Sequence, residues 1–199
     1  MQLIPPTPAG DPLAATSTPA APAPSAAPAA RALRRVVALR DGTRVMLRPL
    51  TPRDRAVYLR GFEHLSDRSR YMRFFSPKNT LSEAELRYFL DVDHHDHEAV
   101  AAIDLDTGAG IGVARFIRDH DEPDVAEVSV AVVDDHQGRG LGAVLLGSIA
   151  RRAREEGIRR LRATVLADNT RMLKLIRTRW PHHEVRRRPA SVLELEFDL

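Results

Sequence analysis

Two stretches of the chain carry residues whose types and spacing can do chemistry. The first is Gln137-Gly138-Arg139-Gly140-Leu141-Gly142, with three glycines in close succession. Glycine lets a backbone turn tightly and lets a ligand approach where a Cβ would stand. With a helix opening behind such a turn, unpaired N–H groups and the helix dipole favour an anion, and a pyrophosphate fits. A purely structural turn is the competing reading. The second stretch is Val125 to Val133, which holds Glu127. Alternation places Glu127 with Ser129, Ala131 and Val133, opposite Val128, Val130 and Val132. An acid inside so apolar a strand is costly unless paired or functional, and burial raises its pKa. Such a carboxylate suits a general base. A salt-bridged or exposed strand glutamate is the alternative.

Other phosphate motifs compete for the glycine turn. A Walker loop needs Gly-Lys-Ser/Thr before the helix, and the turn has none. Gly138-Arg139-Gly140-Leu141-Gly142-Ala143 does satisfy the dinucleotide pattern G-x-G-x-x-A. That fingerprint, however, opens a repeated βαβ series and requires an acid about 20 residues on. Asp168 lies too far along to serve.

The elements that must position these residues can be read from periodicity. Val36 to Leu39 and Val45 to Leu47 read as strands joined across Asp41-Gly42. Thr51-Pro52-Arg53-Asp54 opens a helix to about His64, Ser66 to Phe74 is a shorter one, and Ser82-Glu83-Ala84-Glu85 is a capping box. The period then changes. Ala99 to Leu105, Ile111 to Ile117 and Val125 to Val133 are strands joined by short turn-rich loops, so they are antiparallel. After the glycine turn, Leu141, Val144, Leu145 and Ile149 share a helical face that stops at Gly157. Leu161 to Leu166 is a strand, Asn169 to about Thr178 a helix, and Val192 to Leu199 alternates strictly, paired with the arginine-rich stretch before it. The fold class is therefore mixed α/β (α+β): a mostly antiparallel central sheet flanked by helices, with a single late β-α-β crossover. It is not doubly wound.

On these residues the chain resembles the GNAT superfamily of N-acetyltransferases. Gln137-x-x-Gly140-x-Gly142 matches its Gln/Arg-x-x-Gly-x-Gly/Ala signature, and the element order over about 35–199 is similar to that fold. Arg48-Pro49-Leu50-Thr51, Ser69 through Phe75 and Ala126-Glu127-Val128-Ser129-Val130 further resemble the catalytic domain of bacterial protein lysine acetyltransferases. That domain is often fused to a regulatory module, and none is read in this sequence. The resemblance implies acetyl-CoA as co-substrate. It places the pyrophosphate on the amides of Gly138, Arg139, Gly140, Leu141, Gly142 and Ala143, behind Gln137. It also implies a pantetheine arm along the main chain of Val130, Ala131 and Val132, and Glu127 as general base. Asn169 matches an asparagine that faces the cofactor, though a helix cap explains it as well. A tyrosine that many members carry, thought to protonate the leaving thiolate, falls here on Ile176, so no side chain is assigned as general acid. The acceptor implied is a primary amine, a protein lysine by the nearer resemblance, with a small amine or a catalytically idle acyl-CoA sensor as alternatives.

Composition narrows the class. The 199 residues contain no cysteine, which excludes disulfides, zinc–thiolate sites and a cysteine acyl-enzyme, so direct transfer is expected. Residues 1–33 are rich in Ala and Pro and read as a disordered tail, leaving 34–199 as one domain. There is no signal-like segment or membrane span, and a cytoplasmic location is expected. The net charge is +3, and of 30 basic residues only Lys78 and Lys174 are lysines. The arginine clusters at 151–154, 159–162 and 186–188 are interleaved with acids and read as solvated faces, so no nucleic-acid partner is expected. His94-His95-Asp96-His97-Glu98 reads as a polar loop entering a strand, with no metal expected, and Asp119 to Asp124 as an exposed hairpin loop. Tyr71, Phe74 and Phe75 read as helix core, or as a wall of the acceptor site.

Overall fold

The computed structural model describes residues 34–199; the tail expected over 1–33 lies outside the described residues. Eight strands form one sheet: β1 (Arg35–Ala38), β2 (Arg44–Pro49), β3 (His97–Asp104), β4 (Gly110–Arg118), β5 (Val125–Val132), β6 (Arg160–Leu166), β7 (Glu184–Arg188) and β8 (Val192–Asp198). Their order is β1-β2-β3-β4-β5-β6-β8-β7, and every pair is antiparallel except β5 with β6. The single parallel pair follows from the crossover through a helix, since antiparallel neighbours need only a hairpin. Among the described residues no helix is long and apolar enough to cross a membrane.

Three helices precede β3: α1 (Arg55–Glu63), α2 (Asp67–Phe74) and α3 (Glu83–Leu90). Their starts are set by side chains. Asp54 Oδ2 accepts from the Thr51 N–H, Ser66 Oγ accepts from the Ser69 N–H, and Ser82 and Glu85 satisfy each other's N–H groups. These helices cover one sheet face, where Leu50, Leu90, Ala99 and Ala101 are buried. The other face packs on α4 (Leu141–Glu155) and α5 (Thr170–Arg179). Val45, Leu47, Val100, Phe116, Val128, Leu145, Ile149, Leu161, Leu173, Trp180 and Phe197 belong to that larger core.

Two expectations need correcting. Arg152 is not on a solvated face: it is 3% exposed, on the same stripe of α4 as Leu141, Leu145 and Ile149. Its guanidinium reaches Glu98 Oε2 at 3.2 Å, Glu155 Oε2 at 2.7 Å, Glu156 Oε1 at 2.6 Å and the His94 carbonyl at 3.2 Å. Burial works against its charge, but the hydrogen bonds it donates to Glu155, Glu156 and Glu98 outweigh that and raise its pKa. Tyr71 is not core either, being 46% exposed.

Candidate active site

The sheet opens between β5 and β6. Their parallel pairing covers only Val125 to Glu127 against Arg160 to Arg162, although both strands run on to Val132 and Leu166. Beyond Glu127 the strands part, and a cleft of about 1250 Å³ opens between them. Its walls include Glu127 through Val132, Gln137, Gly138, Gly140, Gly142, Ala143 and Asn169. Residues distant in sequence and expected together are therefore brought into one cavity.

At the apex stands Glu127. It is half-buried, on the sheet face that also carries Ser129 and Arg162, and makes no hydrogen bond or ion pair among the described residues. Burial raises its pKa, opposed by the cations of Arg73 and Arg162. Arg162 does not clamp it: that guanidinium goes to Glu122 and Glu196 at 3.1 Å each. The reading of Glu127 as a salt-bridged strand residue is thus not what the structure shows. Its carboxylate has no partner among the described residues.

The free edge of β5 follows. Val133 donates its N–H to Ile111 on the β4 side, so the preceding residue points the other way. There the Val132 carbonyl accepts from Gln137 Nε2 at 3.0 Å. The N–H and C=O of Val130 share that outward edge, and no strand pairs with them among the described residues. An extended polar arm laid in the cleft would find a strand edge to hydrogen-bond with. Ala131 faces β4 instead, opposite Val113.

The turn itself needs its glycines. Gly138 has φ +77° and Gly140 φ +97°, left-handed values that L side chains rarely adopt. Gly140 is also the residue before α4, and no side chain caps that helix end. The Ala143 N–H turns back to the Gly140 carbonyl at 3.1 Å, while those of Leu141 and Gly142 have no partner among the described residues; beside them is Arg40, whose Nε lies 3.7 Å from where a Gly140 Cβ would stand. An anion suits this end of the cleft. Gly142 has ordinary backbone geometry, and a Cβ there would only touch Leu175 at 3.6 Å.

Two of the signature residues turn away. Arg139 pairs with Asp41 at 2.6 Å, and Leu141 is buried in the core, so both can offer only main chain. Gln137 acts as a tie: besides holding Val132 it donates to Ser69 Oγ at 3.2 Å and accepts from Arg171 Nη1 at 2.7 Å. Ser69 Oγ in turn donates to Asp134, joining α2 to the loop before the turn. Asn169 Oδ1 accepts from the Met172 N–H at 3.2 Å, the cap of α5, while the residue lines the cleft. Ile176 is buried, with no hydroxyl to offer.

Several lining residues escaped the sequence. Arg40, Arg68, Arg171 and Lys174 stud the cleft with cations; they come from β1's end and from two helices. Phe74 and Phe75 also line it, so they form part of its wall, and Phe74 packs on Phe62 and Phe89 as well. The histidine run does not converge. His94 pairs with Glu98, His95 with Glu156, and His97 Nε2 accepts from buried Arg115 at 2.9 Å. Burial and then the Arg115 cation push the His97 pKa down to about 4, keeping it neutral as an acceptor.

The family described as an acetyltransferase (GNAT) domain matches residues 44–178. The chain belongs to the GNAT acetyltransferases. It is 36% identical over 140 residues to acetyltransferase Pat of Mycolicibacterium smegmatis, covering 70% of this chain and 42% of that protein. It is 32% identical over 142 residues to acetyltransferase PA5475 of Pseudomonas aeruginosa, covering 70% of this chain and 76% of that one. The crystal structure of the GNAT domain of S. lividans PAT superposes with a TM-score of 0.77 at 36% identity, over 84% of this chain and 98% of that one. The GNAT chain thus spans under half the length of the mycobacterial relative it matches.

Proposed function

We propose that this GNAT chain is an acetyl-CoA-dependent N-acetyltransferase acting on a primary amine, a protein lysine, with Glu127 as general base. One observation carries the reading: a carboxylate of raised pKa, with no partner among the described residues, stands at the apex of the cleft whose other end is the glycine turn. Acetyl-CoA supplies the acyl group as an activated thioester. The amides from Gly138 to Ala143 and the cations of Arg40 and Lys174 would hold its phosphates. Val130 would align its extended arm along the open edge of β5. Asn169 presents its amide to the same cavity.

Glu127 takes the proton that the amine must lose. With no cysteine in the chain, the amine attacks the thioester carbonyl directly rather than a cysteine-bound acyl group; the C–N bond forms as the C–S bond breaks, and CoA leaves as a thiolate that solvent protonates. Burial strengthens Glu127 as a base, because a carboxylate near its raised pKa accepts protons more readily than a solvated one. Support for a protein lysine comes from the resemblance of residues 48–51, 69–75 and 126–130 to lysine acetyltransferases, and from a cleft roomy enough for donor and side chain together.

The test is thiol release from acetyl-CoA with a cell-extract protein fraction, with a polyamine, and with no acceptor, followed by mass spectrometry. Acetyl-lysine on extract proteins, absent with Glu127→Gln, is the expected result. Thiol release with the polyamine alone would replace the protein acceptor by a small amine. No acceptor-dependent release at all would leave a donor-binding sensor and overturn the catalytic reading.

A further inference from the structure

Near the apex of the cleft one charged side chain is not used by the reaction. Arg73, in the last turn of α2, lines the cleft together with Glu127 and makes no hydrogen bond or ion pair among the described residues. Its one recorded contact is stacking over Phe74, 5.2 Å from the ring centroid. Other guanidiniums at this depth are satisfied. Arg115, buried on the same sheet face, donates to His97 Nε2, Tyr58 Oη and the Phe89 carbonyl, and Arg48 is held by Asp54 at 2.5 Å. Arg115 has no carboxylate among these partners, and on the sheet it stands opposite Ser129 rather than Glu127. Burial, and next the Arg115 cation, lower the Arg73 pKa to about 10.

A second group is orphaned in the same cleft. Ser129 Oγ is buried with no partner among the described residues, on the strand face of Glu127. Both unmatched groups are hydrogen-bond donors, and an unmet buried donor is costly unless a ligand satisfies it. An acceptor-rich anion answers both, and a carboxylate suits the guanidinium fork. The wall leading to Arg73 is apolar: Leu65, Phe74 and Ala131 line both the cleft and an adjoining cavity of about 60 Å³.

Resting on the donor site proposed above, we propose that Arg73 lets the same site take, besides acetyl-CoA, acyl-CoA donors whose acyl group ends in a carboxylate, such as succinyl-CoA. The short methylene chain would lie on Leu65, Phe74 and Ala131, with the carboxylate on Arg73 and Ser129.

The test is direct binding of acetyl-CoA, butyryl-CoA and succinyl-CoA to the full chain by calorimetry, without acceptor. Succinyl-CoA is expected to bind about tenfold or more tighter than either of the others. In Arg73→Gln the ratio of succinyl-CoA to acetyl-CoA affinity should fall by about the same factor. Because the readout is a ratio, a general loss of affinity in the variant cancels. Equal affinities in the wild type, or a preference for butyryl-CoA, would overturn this assignment and leave the donor site standing. No binding of any acyl-CoA would overturn both. A carboxylate brought by the acceptor would leave the donor affinities equal. It would instead show as faster thiol release with an amino acid than with its decarboxylated amine, again overturning the acyl assignment.

Discussion

Glu127 and Arg162 face each other in the last register pair of β5 and β6, yet their side chains do not bond. Arg162 is occupied by Glu122, Glu196 and Asp119. The ion network at the sheet's surface thereby keeps Arg162 off the carboxylate proposed as the base.

Glu127→Gln removes the base and keeps the shape. Turnover should fall by about 10²- to 10⁴-fold, with acyl-CoA affinity changed little. In the wild type the ionised carboxylate is the active form, so kcat/KM should drop as pH falls through the raised Glu127 pKa. That acid limb lies above the range of a solvated glutamate, and it should disappear from the residual activity of Glu127→Gln. A pH–rate profile of both proteins decides it; an unchanged profile refutes the assignment.

The glycines of the turn separate by backbone demand. Gly138→Ala and Gly140→Ala each force a side chain into left-handed geometry and should cost about 1 to 2 kcal/mol of stability. Both should also weaken acyl-CoA binding. Gly142→Ala has ordinary φ and an ordinary contact, so its thermal midpoint should hardly move. Thermal unfolding of the three variants, with and without acetyl-CoA, gives the comparison.

Adjacent arginines on α4 should behave in opposite ways. Arg151 pairs with Glu155 at the surface, and its replacement by Ala should cost no more than about half a kcal/mol. Arg152→Ala leaves Glu98, 1% exposed, without its buried counter-charge and should cost about 3 kcal/mol or more. Urea unfolding of the two variants measures the contrast.

Asp54 links stability to acid. Burial works against its charge, but Arg48 at 2.5 Å and the Thr51 N–H and hydroxyl outweigh it and depress its pKa. A depressed carboxylate stabilises fully above its ordinary value near 3.9 and loses that contribution as pH falls through the folded value. Asp54→Asn should therefore cost about 3 kcal/mol at neutral pH and progressively less below about pH 4. Denaturation midpoints of both proteins across that range provide the check.

Much of this was legible because local chemistry agreed with the fold. Ser82 with Glu85 announced a helix start, the alternation of Leu193, Leu195 and Phe197 announced a strand, and the glycine spacing announced left-handed turns. What escaped depends on contacts across long sequence distances. Arg40 reaches the turn from about a hundred residues away, and nothing in its neighbourhood marks it. Arg152 could be placed on the apolar stripe by counting from Leu145 and Ile149, but its burial is made tolerable by Glu155 and Glu156 nearby together with Glu98, 54 positions back. Tyr71 looked like core because it is aromatic on a helix. On α2 it is Phe74 that packs inward, edge-on to Phe62 and Phe89.

The cations around the cleft are nearly all guanidinium. Arg40, Arg68, Arg73 and Arg171 line it, with Lys174 the one primary amine among them. A guanidinium stays protonated at any working pH and is a poor nucleophile, whereas a lysine that loses its proton can be acylated. A cavity that gathers activated thioesters is thus furnished with positive charge that the thioester cannot consume. Lys174 is the residue of that rim on which a stray acyl group would be found.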